Sequence, residues 1–281
     1  MDILDFKKGG LIKERKGNSF SVRLRLPGGQ VKAEHLAKLS QVAQRWGDGT
    51  VHLTSRQGLE IPGVDMDNLG TVKGELATVG LAPGSCGPRL RNILTCPGNI
   101  SCSHGLVNSR ALGMELDRLF LSREYPVKIK MAVCGCPNSC TTPQTNDIGF
   151  VGAAEPVLNS ALCTDCGICV DACKEGAIVM KGKVPVRDAK KCIYCGDCIG
   201  SCPSSAWTQG KTGYTVYVGG RIGRHPGLGK KLASFVSQEE APVLVGGILE
   251  WVVKNAKDGK RLGILLDETG LAPLKQHLKI A

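Results

Sequence analysis

The sequence predicts an α+β chain of two domains, with a short cysteine-rich module inserted into the second. Three observations carry this. The first 80 residues alternate strand-like and helix-like hydrophobic patterns, regularly spaced cysteines crowd residues 163–202, and the chain beyond them returns to a strand pattern. The expected units are residues 1–80, residues 81–156 together with 209–281, and the insert at 157–208.

In chain order, "FSVRLRLPGG" (20–29) sets Phe20, Val22, Leu24 and Leu26 against Ser21, Arg23 and Arg25, so a strand puts both arginines away from the core. "KAEHLAKLSQVAQRW" (32–46) repeats apolar residues at Leu36, Leu39, Val42, Ala43 and Trp46, a helical stripe. "TVHLT" reads as a strand. "NLGTVKGELATVG" reads as a second helix, with Leu69, Val72, Leu76 and Val79 inward. A helix follows around Leu106 to Phe120, and then "VKIKMAV" (127–133), a strand with Val127, Ile129 and Met131 on one face and Lys128 and Lys130 on the other. After the insert, "GYTVYVGGRIGRHPGLG" (213–229) is a strand and a glycine-rich turn, and Pro242 to Lys257 is a last helix.

The 281 residues are 42% apolar and 22% charged, within the range of a soluble globular chain. No charged start leads into an apolar run and no stretch of eighteen apolar residues occurs, so we expect a cytoplasmic protein with no membrane role. A net charge of +11 asks for an anionic partner. With only 4% aromatic residues there are few platforms on which bases could stack, which favours a polyanionic cofactor or small anion over nucleic acid.

Fourteen cysteines in a reducing compartment point to metal rather than to disulfides. "CTDCGICVDACKEGAI" and "CIYCGDCIGSCP" are both C-x2-C-x2-C-x3-C runs, the spacing that wraps a [4Fe-4S] cluster, with the fourth cysteine of each run crossing to the other cluster. One set is then Cys163, Cys166, Cys169 and Cys202, and the other Cys192, Cys195, Cys198 and Cys173. Paired zinc knuckles, the alternative, normally lack the third cysteine. Gly167 and Gly196 suit the tight backbone at each run, and Lys174 replaces the proline that often follows the fourth cysteine.

Of the other six cysteines, "TCPGNISC" and "CGCPNSC" supply C-x5-C (Cys96, Cys102) and C-x3-C (Cys136, Cys140) with 33 residues between them. This pattern resembles the siroheme-dependent sulfite and nitrite reductases. The resemblance implies that Cys96, Cys102, Cys136 and Cys140 hold a [4Fe-4S] cluster and that Cys140 bridges to siroheme iron, which would make three clusters per chain. Cys134, where the family commonly has a small hydroxyl residue, and Cys86, outside the motif, are expected to be buried bystanders. The resemblance also assigns Arg23 ("VRLRLPGG"), Arg56 ("HLTSRQ"), Arg91 ("RNI"), Lys128 and Lys130 ("KIK") to siroheme carboxylates and the substrate anion, with Arg23, Arg91, Lys128 and Lys130 acting in catalysis. Arg221 or Arg224 is a further candidate for a carboxylate, and His104 and His225 are weak candidates as proton donors.

The fold so implied is a ferredoxin-like N-terminal domain, a siroheme and [4Fe-4S] domain, and an inserted bacterial-type ferredoxin module. The implied activity is six-electron reduction of sulfite, since both lysines are present where plant-type nitrite reductases have one replaced. Nitrite reduction and a non-catalytic electron-transfer subunit are the alternatives. No G-x-G-x-x-G fingerprint stands between a strand and a helix, so electrons are expected from a separate ferredoxin or flavin subunit. The chain holds one copy of a unit that longer relatives carry twice. A homodimer or another two-fold oligomer, such as a pair with a related subunit, would rebuild the full arrangement.

Overall fold

The computed structural model describes residues 3–15, 17–84, 86–121 and 123–280. Its first unit comprises α1 (Ile3–Lys8), β1 (Leu11–Lys13), β2 (Ser19–Leu24), α2 (Ala33–Trp46), β3 (His52–Leu53), β4 (Leu59–Asp65) and α3 (Leu69–Ala77). The strands form an antiparallel sheet in the order β1-β2-β4-β3. On β2 the expected alternation holds: Phe20, Val22 and Leu24 are buried and Arg23 is half-buried on the opposite face. Those side chains pack on Leu39, Val42 and Ala43 of α2 and on Leu69, Val72 and Leu76 of α3, closing the first core. Leu36 does not join them and is 50% exposed. The strand expected at "TVHLT" shrinks to two exposed residues, and β4, whose burial does not alternate cleanly, was not visible in the sequence pattern.

The second unit comprises β5 (Leu94–Thr95), α4 (Ser109–Phe120), β6 (Met131–Cys134), β7 (Ile148–Leu158), α5 (Ile168–Ala172), β8 (Ile178–Lys181), β9 (Val184–Arg187), α6 (Asp197–Gly200), β10 (Trp207–Val218), β11 (Lys230–Val236), α7 (Glu240–Asn255), α8 (Leu262–Thr269) and α9 (Ala272–Leu278). Its mixed sheet runs β11-β10-β7-β6-β5, with β5, β6 and β7 parallel and the rest antiparallel. Leu112 and Leu116 of α4, Val245, Ile248 and Val252 of α7, and Leu262 of α8 cover it. Phe150 and Tyr214 meet edge-on in this core at 5.9 Å. The expected lysine-bearing strand starts later than its pattern suggests, at Met131, although burial already alternates from Val127 onward.

β7 and β10 pair from Ile148 opposite Val218 out to Leu158 opposite Trp207. The cysteine runs and the hairpin β8-β9 sit at the far end of this ribbon, with their own small cluster of Cys169, Ile178, Cys198 and Trp207. A segment carried at the tip of a ribbon leaves the sheet behind it unbroken. Arg25, just past β2, clamps the two units together: its Nε donates to Asp117 Oδ2 on α4 at 2.9 Å, and its Nη2 donates to the same oxygen. Among the described residues no helix is long and apolar enough to cross a membrane.

Candidate anion pocket and cysteine sites

Two stretches of backbone ahead of β5 and β6 set most of the basic side chains. Arg91 N donates to Ile129 O at 2.9 Å and Ile129 N to Arg89 O at 3.1 Å, so the chain around Arg91 runs beside the chain around Lys128 and Lys130. Val127 and Ile129 point into the core, which turns Lys128 and Lys130 outward. β2 contributes Arg23, and the turn between β3 and β4 contributes Arg56. Together they line a cavity of about 270 Å3 bounded by Arg23, Thr54, Ser55, Arg56, Arg91, Asn92, Lys128 and Lys130. All five basic residues assigned by the resemblance meet here, and among the described residues no carboxylate lines the cavity.

Arg56 is anchored deepest. Nη1 donates to Asn146 Oδ1 at 2.9 Å, and Nη2 to the carbonyls of Asn92 at 2.7 Å and Met131 at 3.0 Å. Burial draws its pKa down to about 10, with Asp147 opposing and the charges of Arg91 and Arg261 adding, so the group stays cationic at neutral pH. Lys130 is also lowered, by burial first and then by Arg56, Arg261 and Lys128. Behind them, buried Asp147 accepts from Lys130 N at 2.8 Å and from Arg261 Nη2 at 2.6 Å. Burial pushes the Asp147 carboxyl upward against the pull of Arg261. Arg23 donates from Nε to Glu60 Oε1 at 2.5 Å and from Nη1 to Cys86 Sγ at 2.6 Å, and Arg91 Nη1 reaches the same sulfur at 2.7 Å.

In the quartet Cys96, Cys102, Cys136 and Cys140, the other three all lie near enough to Cys136 to act on its thiol. Cys96 directly follows β5, Cys136 lies two residues beyond β6, and a Cβ added to Gly152 of β7 would come within 2.2 Å of Gly135 O, so glycine is what lets this loop settle on the sheet. Burial raises Cys136, and the neighbouring thiols of Cys96, Cys102 and Cys140 add to the rise. Cys140 is the exposed member. Cys134 is buried, as expected; its neighbouring thiol, ahead of Ser109 and the N–H groups of Gly135 and Gly98, draws the Cys96 thiol down to about 5 while burial opposes. Ser109 Oγ lies 3.2 Å from that sulfur and Gly135 N donates to it at 3.0 Å.

Between β7 and β10, one small cavity is lined by Cys163, Cys166, Cys169 and Cys202, and a second by Cys173, Cys192, Cys195 and Cys198. The fourth cysteine of each run crosses to the other set, as the spacing predicts. Gly167 and Gly196, at φ +74° and +79°, start α5 and α6 at equivalent points of the two runs. Ala177 N donates to Cys173 Sγ at 3.2 Å. All fourteen cysteines are free, and among the described residues no three His, Cys, Asp or Glu side chains converge as they would on a single ion. A four-iron cube spreads its thiolates around a larger core and does not require them to. The second set abuts the quartet: Leu106, whose N–H donates to Gly135 O at 2.9 Å, packs on Gly196, and Ala154 N donates to Tyr194 O at 3.0 Å.

With this geometry in view, the sequence pattern described as the nitrite and sulphite reductase 4Fe-4S domain matches residues 86–280, and the ferredoxin-like half domain of the same proteins matches residues 12–79. The chain belongs to the nitrite and sulphite reductase family. Members of that family are oxidoreductases, and the family implies siroheme and a [4Fe-4S] cluster. The coenzyme F420-dependent sulfite reductase of Methanocaldococcus jannaschii is 35% identical over 96% of this chain, which spans 44% of that protein. One component of the anaerobic sulfite reductase of Salmonella typhimurium is 30% identical over 95% of this chain and 88% of its own length. Three relatives named as nitrite reductases match 49–55% of this chain. The crystal structure of dissimilatory sulfite reductase I shares the fold, with a TM-score of 0.78 at 21% identity over 94% of this chain and 69% of that one.

Within this family frame, some sequence expectations land elsewhere. Arg221 does not line the basic cavity: its Nη2 pairs with Asp267 at 2.7 Å and its Nε donates to His225 O at 3.0 Å. His104 and His225 are exposed and lie outside that cavity. Thr54, Ser55 and Asn92 were missed although they adjoin Arg56 and Arg91 in the motifs themselves. Asp147 and Arg261, 114 residues apart, left no local signal.

Proposed function

We propose that this chain is a siroheme-dependent sulfite reductase that converts sulfite to sulfide with six electrons. The observation that carries the reading is the gathering of Arg23, Arg56, Arg91, Lys128 and Lys130 around one cavity, with no carboxylate among its described lining residues. Glu60 on Arg23 and Asp147 behind Arg56 and Lys130 offset only part of that charge, so the wall attracts anions, and both a tetrapyrrole rich in carboxylates and a sulfite ion supply them. The residues therefore fit the group. Arg56, fixed by three hydrogen bonds, and Arg91 would hold siroheme carboxylates, and Cys140, exposed at the edge of its quartet, would reach its iron. When bound, that cofactor supplies a redox-active metal to which sulfur coordinates and through which electrons arrive. Arg23, Arg91, Lys128 and Lys130 would neutralise the oxyanion in a site whose charges are already in place. Lys130, drawn below the ordinary lysine range by burial, is the proton source best matched to S–O cleavage.

Each of the three cysteine sets would hold a [4Fe-4S] cluster. The set built on Cys173 and Cys192 rests against the quartet and would be the inner relay, whereas the set built on Cys163 is lined only by residues 163–207 and would be the outer one, facing an external ferredoxin or flavin donor. The pocket lies before β5 and β6 and the quartet beyond them, so the four residues of β6 alone separate Lys130 from Cys136 by about 13 Å. One cofactor held by both the pocket and Cys140 of a single chain would have to bridge that separation. The working site would therefore combine the pocket of one copy with the quartet of another, which is the basis for a two-fold assembly.

The test is a visible absorption spectrum of protein made anaerobically in cells able to synthesise siroheme, followed by titration of the reduced protein with sulfite and then nitrite. Haem bands that shift with sulfite are expected. Iron–sulfur absorption without haem bands would overturn the reductase in favour of an electron-transfer subunit, and turnover of nitrite but not sulfite would overturn the choice of substrate.

A further inference from the structure

We infer that Cys86 is a positioning residue of the anion pocket, its sulfur holding the guanidinium groups of Arg23 and Arg91 side by side on one wall. The identity of the anion rests on the sulfite reductase reading, but the geometry does not. Cys86 is only 3% exposed, and it stands where the two units of the chain meet. Arg23 comes from β2 in the first unit and Arg91 from the segment before β5 in the second, yet their Nη1 atoms converge on the one Sγ at 2.6 and 2.7 Å. Two like charges brought this close splay apart unless an acceptor stands between them.

A thiol is suited to that place. A carboxylate would present two oxygens, one to each arginine, whereas the sulfur is a single atom on which both Nη1 groups must converge. Glu60 completes the constraint. With Arg23 Nε committed to Glu60 and Nη1 to Cys86, Nη2 is the nitrogen of that fork left for a ligand among the described residues. Cys86 also lines the neighbouring cleft with Arg23, Arg91 and Lys128, so its sulfur is the partition against which both arginines lean. The residue that composition marks as a small buried hydrophobe is thus an acceptor in the frame of the pocket.

The experiment compares Cys86→Ala, Cys86→Val and Cys86→Ser with the parent in the cofactor-loaded protein, reading sulfite Kd by calorimetry and KM and kcat with a reduced viologen dye. Ala and Val remove the acceptor, and Val also refills the volume if Ala fails to fold. We expect Kd and KM to rise about tenfold in both with kcat within about twofold, and Ser, which restores an acceptor, to recover most of the loss. Kd and KM within about twofold of the parent in either folded variant would overturn the inference, as would a fall in kcat alone. A parent protein that binds sulfite without reducing it would overturn the reductase reading, and the Kd comparison would still judge Cys86.

Discussion

Replacing Lys130 by Gln removes one charge from the pocket while sparing the fold. The Lys130 backbone is fixed independently of its side chain, because its N–H donates to Asp147 at 2.8 Å and its carbonyl accepts from Ile148 N at 3.2 Å. A side-chain change therefore leaves the start of β6 in place. A bare charge pair at 4 Å in a partly buried setting sets a ceiling of about 4 kcal/mol, and a hydrogen bond to a charged group contributes about 1.5–3 kcal/mol net. At about 1.4 kcal/mol per decade, kcat/KM for sulfite should fall about 10- to 150-fold, measured with a reduced viologen dye under anaerobic conditions. The protonated amine is the form that binds the anion, so its contribution is present below its pKa and is lost as pH rises through it. Burial, Arg56, Arg261 and Lys128 all lower that pKa, so the alkaline fall in sulfite affinity should begin below the ordinary lysine range, and Lys130→Arg should move it upward. A loss smaller than about threefold in Lys130→Gln, or an alkaline limb that Lys130→Arg does not move, would refute the assignment.

Other expectations follow from the cysteines and from the clamp between the units. Crossing of the two runs predicts that Cys163→Ala with Cys202→Ala loses about four irons, no more than either alone, while Cys163→Ala with Cys173→Ala loses about eight; iron and sulfide analysis decides it. Asp117→Ala leaves Arg25 without its partner. Because Arg25 is 31% exposed, the cost should be nearer 1–3 kcal/mol than the 3–5 kcal/mol of a fully buried pair, lowering Tm by about 2–8 °C in calorimetry.

How much was legible follows from how local each signal is. β2, α2, α3 and α4 showed because each carries one buried face, a period that reads directly from the residues. β7 and β11 escaped: β7 is buried on nearly all its length, so its pattern does not alternate, and β11 alternates only loosely at the sheet edge. The two cysteine runs were legible down to the exchange of their fourth members, since covalent spacing restricts which sulfurs can share a core. The five basic residues were legible only through the resemblance, because alternation turns Arg23, Lys128 and Lys130 outward but cannot say that they share one cavity. Cys86 and Cys134 show the opposite limit. Burial was the right expectation for both, and burial alone does not tell which distant side chains each sulfur meets: Arg23 and Arg91 at Cys86, and the Cys96 thiol beside Cys134.

The separation of pocket and quartet along β5 and β6 can be tested without any knowledge of the assembly's shape. Lys130→Gln damages a pocket and leaves the quartet intact, and Cys140→Ser does the reverse. If pocket and quartet of one chain formed the site, every chain in a mixture of the two variants would carry a damaged site, and mixing would restore nothing. If the site joins two copies, half of randomly paired dimers are mixed, and each mixed dimer has one site with both intact halves and one with both halves damaged. Co-expression should then recover about a quarter of the parent activity from two variants that are each nearly inactive. Activity no greater than the average of the separate variants, in a mixture shown by mass spectrometry to contain mixed dimers, would place the whole site within a single chain and require the loop carrying Cys140 to fold back over β6 toward Lys130.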